Sequence, residues 1–120
     1  MTSVLIVEDN TQLARLFQSI LIDITDGVWQ AKTAALAFQK LQSEAFDVVI
    51  LDTELPDADG SIIVEYLRRD PRHSKTYIIV ATDNQQLGLE AKSAGADRIL
   101  EKPVSIMELR HVVRRVTLSV

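Results

Sequence analysis

Three short stretches carry apolar residues with no polar alternation: Val4–Val7, Val48–Leu51 and Tyr77–Ala81. Runs of this length, bounded by turn-forming residues, predict strands buried on both faces. Two weaker segments join them. Val28–Ala31 is interrupted by Gln30, which places it at a sheet edge, and Arg98–Leu100 is a short fifth strand. Between the strands the apolar spacing becomes helical. The inward sets are Leu13, Leu16, Phe17, Ile20, Leu21 and Ile24; Ala34, Ala37, Phe38 and Leu41; Ile63, Val64 and Leu67; Leu87, Ala91 and Ala94; Leu109, Val112, Val113 and Val116. Asn10 or Thr11, Thr33, and Asp83 or Asn84 stand where helix N-caps belong. A helix over 61–69 stops at Asp70-Pro71, because proline disfavours helical geometry in the residue before it. Gly95 is the expected left-handed residue closing the fourth helix.

Five strands alternating with five helices require a mostly parallel sheet covered on both faces. Right-handed crossovers leave few strand orders. The expectation is an α/β, flavodoxin-like three-layer (βα)5 sandwich with its parallel sheet in the order 2-1-3-4-5. In that order a crevice opens where strand 1 meets strand 3. Glu8-Asp9 and Asp52 then end adjacent strands at the switch point. Thr82 and Lys102 end the next two strands along the same edge.

Composition narrows the class without choosing the chemistry. The 120 residues, 47% apolar and 25% charged, suit one folded domain spanning 1–120 and exclude disorder as the default. A net charge of −4 gives no footprint for direct nucleic-acid binding. The absence of cysteine removes disulfides and thiolate chemistry. Acidic residues follow Val7 too soon for a signal-peptide core, and no apolar run approaches a membrane span. The chain reads as a soluble cytoplasmic protein without membrane contact and without an output domain.

The candidate chemistry lies in the segment FDVVILDTELPDADG, Phe46 to Gly60, where a buried strand delivers Asp52 to a turn-rich loop. Carboxylates from Glu8, Asp9 and Asp52 gathered at one edge repel one another. A like-charged pair about 4 Å apart costs roughly 4 kcal/mol at an effective dielectric near 20. Such a cluster raises a pKa or binds a cation. Hard oxygen ligands with room for water suit Mg²⁺. A divalent ion beside a lysine, a hydroxyl and a nucleophilic carboxylate is an apparatus for phosphoryl transfer, with Asp52 becoming an aspartyl phosphate.

The acidic pair after strand 1, the DTELPDADG segment, the threonine after strand 4 and Lys102-Pro103 after strand 5 together resemble the response-regulator receiver domain of the CheY-like superfamily. The resemblance spans essentially the whole chain. It implies a phosphoacceptor, not an enzyme acting on an external substrate, that serves a two-component phosphorelay. Asp52 would take the phosphoryl group from a sensor histidine kinase or phosphotransfer protein. Glu8, Asp9, Asp52 and the backbone carbonyl of Glu54 would hold Mg²⁺. Thr82 would be the switch hydroxyl and Lys102 the phosphoryl contact, with a cis Lys102–Pro103 bond. Gly60 would permit the turn before the third helix. A downstream effector would meet the face built from helix 4, strand 5 and helix 5, and the resemblance leaves room for a homodimer.

Three positions depart from the family pattern. Ile99 stands where an aromatic residue is usual, Asp83 where a small one is usual, and Glu54 adds an acid at the rim. They keep a second class open, a pseudo-receiver that signals through protein contacts without phosphorylation. A third class, an aspartyl-nucleophile phosphatase, would want a second aspartate two residues after the nucleophile, where this chain has Glu54. A nucleotide-binding module is disfavoured because no glycine-rich loop follows strand 1. His73 and His111 read as solvated, and Trp29 and Tyr66 as core or rim aromatics.

Overall fold

The computed structural model describes residues 2–119. In chain order the elements are β1 (Ser3–Val7), α1 (Thr11–Leu21), β2 (Gly27–Ala31), α2 (Ala34–Ser43), β3 (Val48–Asp52), α3 (Ser61–Arg69), a 3-10 turn (Pro71–His73), β4 (Tyr77–Thr82), α4 (Gln85–Ala94), β5 (Arg98–Glu101) and α5 (Ile106–Ser119). The strands form one sheet in the order β2-β1-β3-β4-β5, and every pairing is parallel. The expected flavodoxin-like three-layer architecture is therefore the observed one.

Alternation along the central strands sends successive side chains into two separate cores. Leu5, Val7, Val49, Leu51, Ile78 and Val80 pack with residues of α2, α3 and α4. Val4, Ile6, Val48, Ile50 and Ile79 pack with Phe17 and Leu21 of α1 and Leu109 and Val113 of α5. Both faces are dry, which is why these strands carry no polar alternation.

The register fixes what meets at the carboxyl edge. Val7 pairs with Leu51, so Glu8 follows level with Asp52. Asp52 pairs with Ala81, so Thr53 follows level with Thr82. Three strands run one residue further than their apolar stretches, because the ladder includes Asp52, Thr82 and Glu101.

Some local expectations need correction. In α1 the buried line is Ala14, Phe17 and Leu21, spaced three and four residues apart, and Leu16 falls beside it at 39% exposed. Asn10, Thr33 and Asn84 are the N-caps, their side chains accepting from the N–H of Leu13, Leu36 and Leu87. Trp29, on edge strand β2, is 38% exposed and stacks edge-on against Phe46. His73 is not solvated. The 3-10 turn folds its ring inward, where Nε2 lies 3.0 Å from the Leu41 carbonyl and the ring packs on Tyr66. Charged neighbours in sequence concealed a buried ring.

Gly95 closes α4 with φ of +121°, as its position foretold. Gly60 works differently from the expectation. Its φ of −59° is ordinary helical geometry. A Cβ there would stand 2.3 Å from the carbonyl oxygen of Asp52 and 2.7 Å from Leu51 Cδ1. The glycine is needed for close approach: α3 begins against the backbone of Asp52.

Candidate functional site

The members of the site arrive at the sheet's carboxyl edge from three strand ends. Asp52 is the last residue of β3, and its side chain is 8% exposed. Its Oδ1 accepts the Glu54 N–H at 3.0 Å, and its Oδ2 accepts from Lys102 Nζ at 2.8 Å. Glu8 follows β1 and is 3% exposed. Its Oε2 accepts the Asn10 N–H at 3.1 Å, and its Oε1 lies 3.6 Å from Lys102 Nζ. Asp9 stands at the solvent side. One carboxylate oxygen from each of Glu8, Asp9 and Asp52 lies within 4.8 Å of the others. Lys102 follows β5, its N–H donating to the Thr82 carbonyl at 2.9 Å, and the Lys102–Pro103 bond is cis.

Two buried carboxylates thus share one ammonium, with Asp9 beside them. Burial pushes the Glu8 carboxyl up, the charge of Asp52 and a hydrogen bond with Asp9 push it further, and the Asn10 N–H and Lys102 only partly oppose them. The result is a pKa of about 7. Burial also works against the Lys102 ammonium, but its hydrogen bond to Asp52 and the charges of Asp52, Glu8 and Asp83 outweigh that and raise its pKa. That imbalance is what a bound cation would correct. A compact set of hard oxygens with surplus negative charge suits Mg²⁺, and the ion would relieve the repulsion that raises Glu8.

Thr82, 3% exposed at the end of β4, is close to this group in the fold but engaged elsewhere. Its Oγ1 accepts from Thr53 Oγ1 at 2.8 Å and from the Asn84 N–H at 3.0 Å, and donates to the Asn84 carbonyl at 3.1 Å. Glu54 and Asp83 are exposed at the rim, and only Asp83 is felt by Lys102. Beside the site, between α4 and β5, lies a groove of about 600 Å³ lined in part by Thr82, Gly88, Leu89, Ile99 and Lys102.

Two residues of the site region were not read from the sequence. Asp57 accepts the N–H groups of Ala34 at 2.9 Å and Ala35 at 3.0 Å, tying the loop after β3 to the start of α2. Those bonds, Ala34 first, lower its pKa. Thr53 is the other, 1% exposed and bonded to Thr82. The signal for it was present: in the order 2-1-3-4-5, the residues after paired strand positions are neighbours, and here both are threonine.

Residues 4–114 match the family described as the response regulator receiver domain. The chain is 34% identical over 116 residues to the KDP operon transcriptional regulatory protein KdpE of Escherichia coli, covering 95% of this chain and 50% of that protein. It is 32% identical over 119 residues to the sensor histidine kinase GacS of Pseudomonas protegens, covering 95% of this chain and 13% of that protein. The chain therefore spans half or less of the length of these relatives. Among solved structures, the chemotaxis response regulator CheY4 of Vibrio cholerae superimposes with a TM-score of 0.87 at 29% identity, covering 97% of this chain and 98% of that one. Among the described residues, no helix is long and apolar enough to cross a membrane.

Proposed function

The chain belongs to the response regulator receiver domain family, and from that premise we propose that it accepts a phosphoryl group on Asp52 from a phosphohistidine and uses it to switch protein contacts. The observation that carries this reading is the meeting of Glu8, Asp9, Asp52 and Lys102, from three different strand ends, in one small space.

In the proposed reaction a carboxylate oxygen of Asp52 attacks phosphorus. The P–N bond of the donor breaks, and its electron pair returns to the imidazole nitrogen. Hydrolysis of the acyl phosphate later restores the carboxylate. Lys102, already against Asp52, would pair with a phosphoryl oxygen. The Glu54 N–H keeps the Asp52 side chain oriented. Mg²⁺, held by Glu8, Asp9, Asp52 and the backbone carbonyl of Glu54, would supply neutralisation of charge on the phosphoryl oxygens. Thr82 would donate to the phosphoryl group after leaving its present partners. The chain's own catalysis would be confined to gaining and losing this group. A sensor histidine kinase or phosphotransfer protein would be the donor. An effector would read the face of α4, β5 and α5, where Leu89 is 59% exposed.

The test is labelling by acetyl phosphate with and without Mg²⁺. Wild type should gain one phosphoryl group only with Mg²⁺, and Asp52→Asn none. A wild type that stays unlabelled in Mg²⁺ would return the chain to the pseudo-receiver class.

A further inference from the structure

The hydroxyl of Thr82 is saturated where it stands. A threonine hydroxyl has one hydrogen to give and two lone pairs to offer. Here the hydrogen goes to the Asn84 carbonyl, and the lone pairs take Thr53 Oγ1 and the Asn84 N–H. None of the three partners is Asp52. To serve a phosphoryl group on Asp52, the hydroxyl must abandon this arrangement.

The losses differ among the partners. Asn84 is exposed, so water replaces whatever its backbone gives up. Thr53 is 1% exposed, and its side chain makes no other hydrogen bond among the described residues. When Thr82 turns away, the Thr53 hydroxyl is stranded in dry surroundings, and a buried unsatisfied hydroxyl is costly. The same hydroxyl pair reaches α4. Asn84 caps that helix through the Leu87 N–H at 3.0 Å. Gly88 of α4 leaves so little room that a Cβ there would stand 3.1 Å from Thr82 Cγ2.

We propose that Thr53 is a positioning residue that latches Thr82 in its unphosphorylated arrangement, against Asn84 and the start of α4. This rests on the phosphoacceptor reading above and adds to it a residue that touches neither metal nor phosphoryl group. Thr53→Val removes the hydroxyl at nearly constant volume. It leaves Thr82 with its Asn84 partners, so the resting arrangement loses one bond and gains no orphan.

The experiment measures the affinity of the Mg²⁺-loaded protein for beryllofluoride, a phosphoryl mimic, in a double-mutant cycle. Thr53→Val should tighten binding about tenfold, on the scale of one stranded buried hydroxyl. Thr53→Ser, which keeps the hydroxyl, should match wild type. In a Thr82→Ala background the Thr53→Val effect should vanish, because no hydroxyl remains to be latched. A second readout needs no ligand. Three-bond NMR couplings to Thr82 Cγ2 should report a single χ1 rotamer in wild type and averaging in Thr53→Val. Should Thr53→Val fail to fold, Thr53→Ala takes its place in the cycle and in the coupling measurement. The latch is overturned if the folded variant leaves both affinity and rotamer unchanged, or if the affinity gain persists in Thr82→Ala. If wild type itself fails to bind beryllofluoride, the phosphoacceptor reading falls, and the rotamer measurement alone decides on the latch.

Discussion

The sheet carries acids at both edges, and they lead different lives. At the amino edge, Asp26, Asp47 and Asp97 each stand one residue before a strand. Each accepts from the start of a neighbouring strand: Asp26 from the Thr2 N–H, Asp47 from the Ser3 N–H at 2.9 Å, and Asp97 from the Ile78 N–H at 2.7 Å. Asp97 also pairs with Arg68 at 2.6 Å. At the carboxyl edge, strands present carbonyls, and the N–H groups come mainly from helix starts. Asn10, Thr33, Asp57 and Asn84 take several of those. Glu8 and Asp52 find one backbone N–H each and share one lysine, with Asp9 crowded beside them.

The titration behaviour follows the supply of donors rather than the edge, for Asp57 belongs to the carboxyl edge and is well supplied. Arg110 lowers Asp23, the Ala34 and Ala35 N–H groups lower Asp57, and Arg72 brings Asp70 down to about 2. Only Glu8 among the carboxyls with a resolved shift goes up. Satisfied acids hold the fold together, and crowded ones store a demand for a cation. The lesson is that residue type does not separate fold-building acids from those of the candidate site; the supply of donors does.

The largest expected effect tests the crowded edge. Asp52→Asn should abolish Mg²⁺-dependent labelling while leaving the urea midpoint of the metal-free protein unchanged or higher. A clear loss of stability would mean that Asp52 behaves like the amino-edge acids and would erase the contrast.

The next effect is the pH dependence of stability without metal. Glu8 keeps its proton in the folded state up to about pH 7, whereas the unfolded chain releases it near 4.5. Between those values the unfolded state binds fewer protons, so stability falls as pH rises, by about 3 kcal/mol in all. Denaturation curves from pH 4.5 to 8 should show this slope, and Glu8→Gln or saturating Mg²⁺ should flatten it. Below pH 4 the sign reverses. The stabilising contribution of Asp70, present above 3.8, is lost as pH falls toward its folded value of about 2.

At the amino edge, Asp97→Ala should cost about 2 kcal/mol, because the buried Ile78 N–H and Arg68 both lose a partner. Labelling of Asp52 should stay at the wild-type rate. Equal damage to labelling would show that the two edges are not independent. The smallest effect sits at the rim of the crowded edge. Asp83 acts on Lys102 through charge alone, so Asp83→Ala should speed labelling by acetyl phosphate roughly threefold at low salt. The gain should shrink in 1 M salt, and an unchanged rate at low salt would confine Asp83 to a bystander role.

Much of this was legible in the chain. Uninterrupted apolar runs reported strands with two dry faces, and helical spacing reported the covering layers, so the order of elements and the parallel sheet followed from local pattern. Asp52, Glu8, Asp9, Thr82 and Lys102 were visible because each ends a strand, and parallel strands deliver their ends to one edge. Leu16 misled because a stripe read from apolar identity was wider than the face that α1 buries. His73 misled because its neighbours in sequence are charged, whereas its ring turns inward onto Leu41 and Tyr66.

Periodicity, capping residues and strand-end positions depend on neighbours a few residues away, and these the sequence determined by itself. That Glu8 is the carboxyl whose pKa rises, that the Thr53 hydroxyl donates to Thr82, and that glycine is needed beside the Asp52 carbonyl were decided by tertiary structure. Each depends on sub-ångström register or on the exclusion of water between segments distant along the chain, and neither quantity exists until the sheet has closed and both helical layers have packed against it.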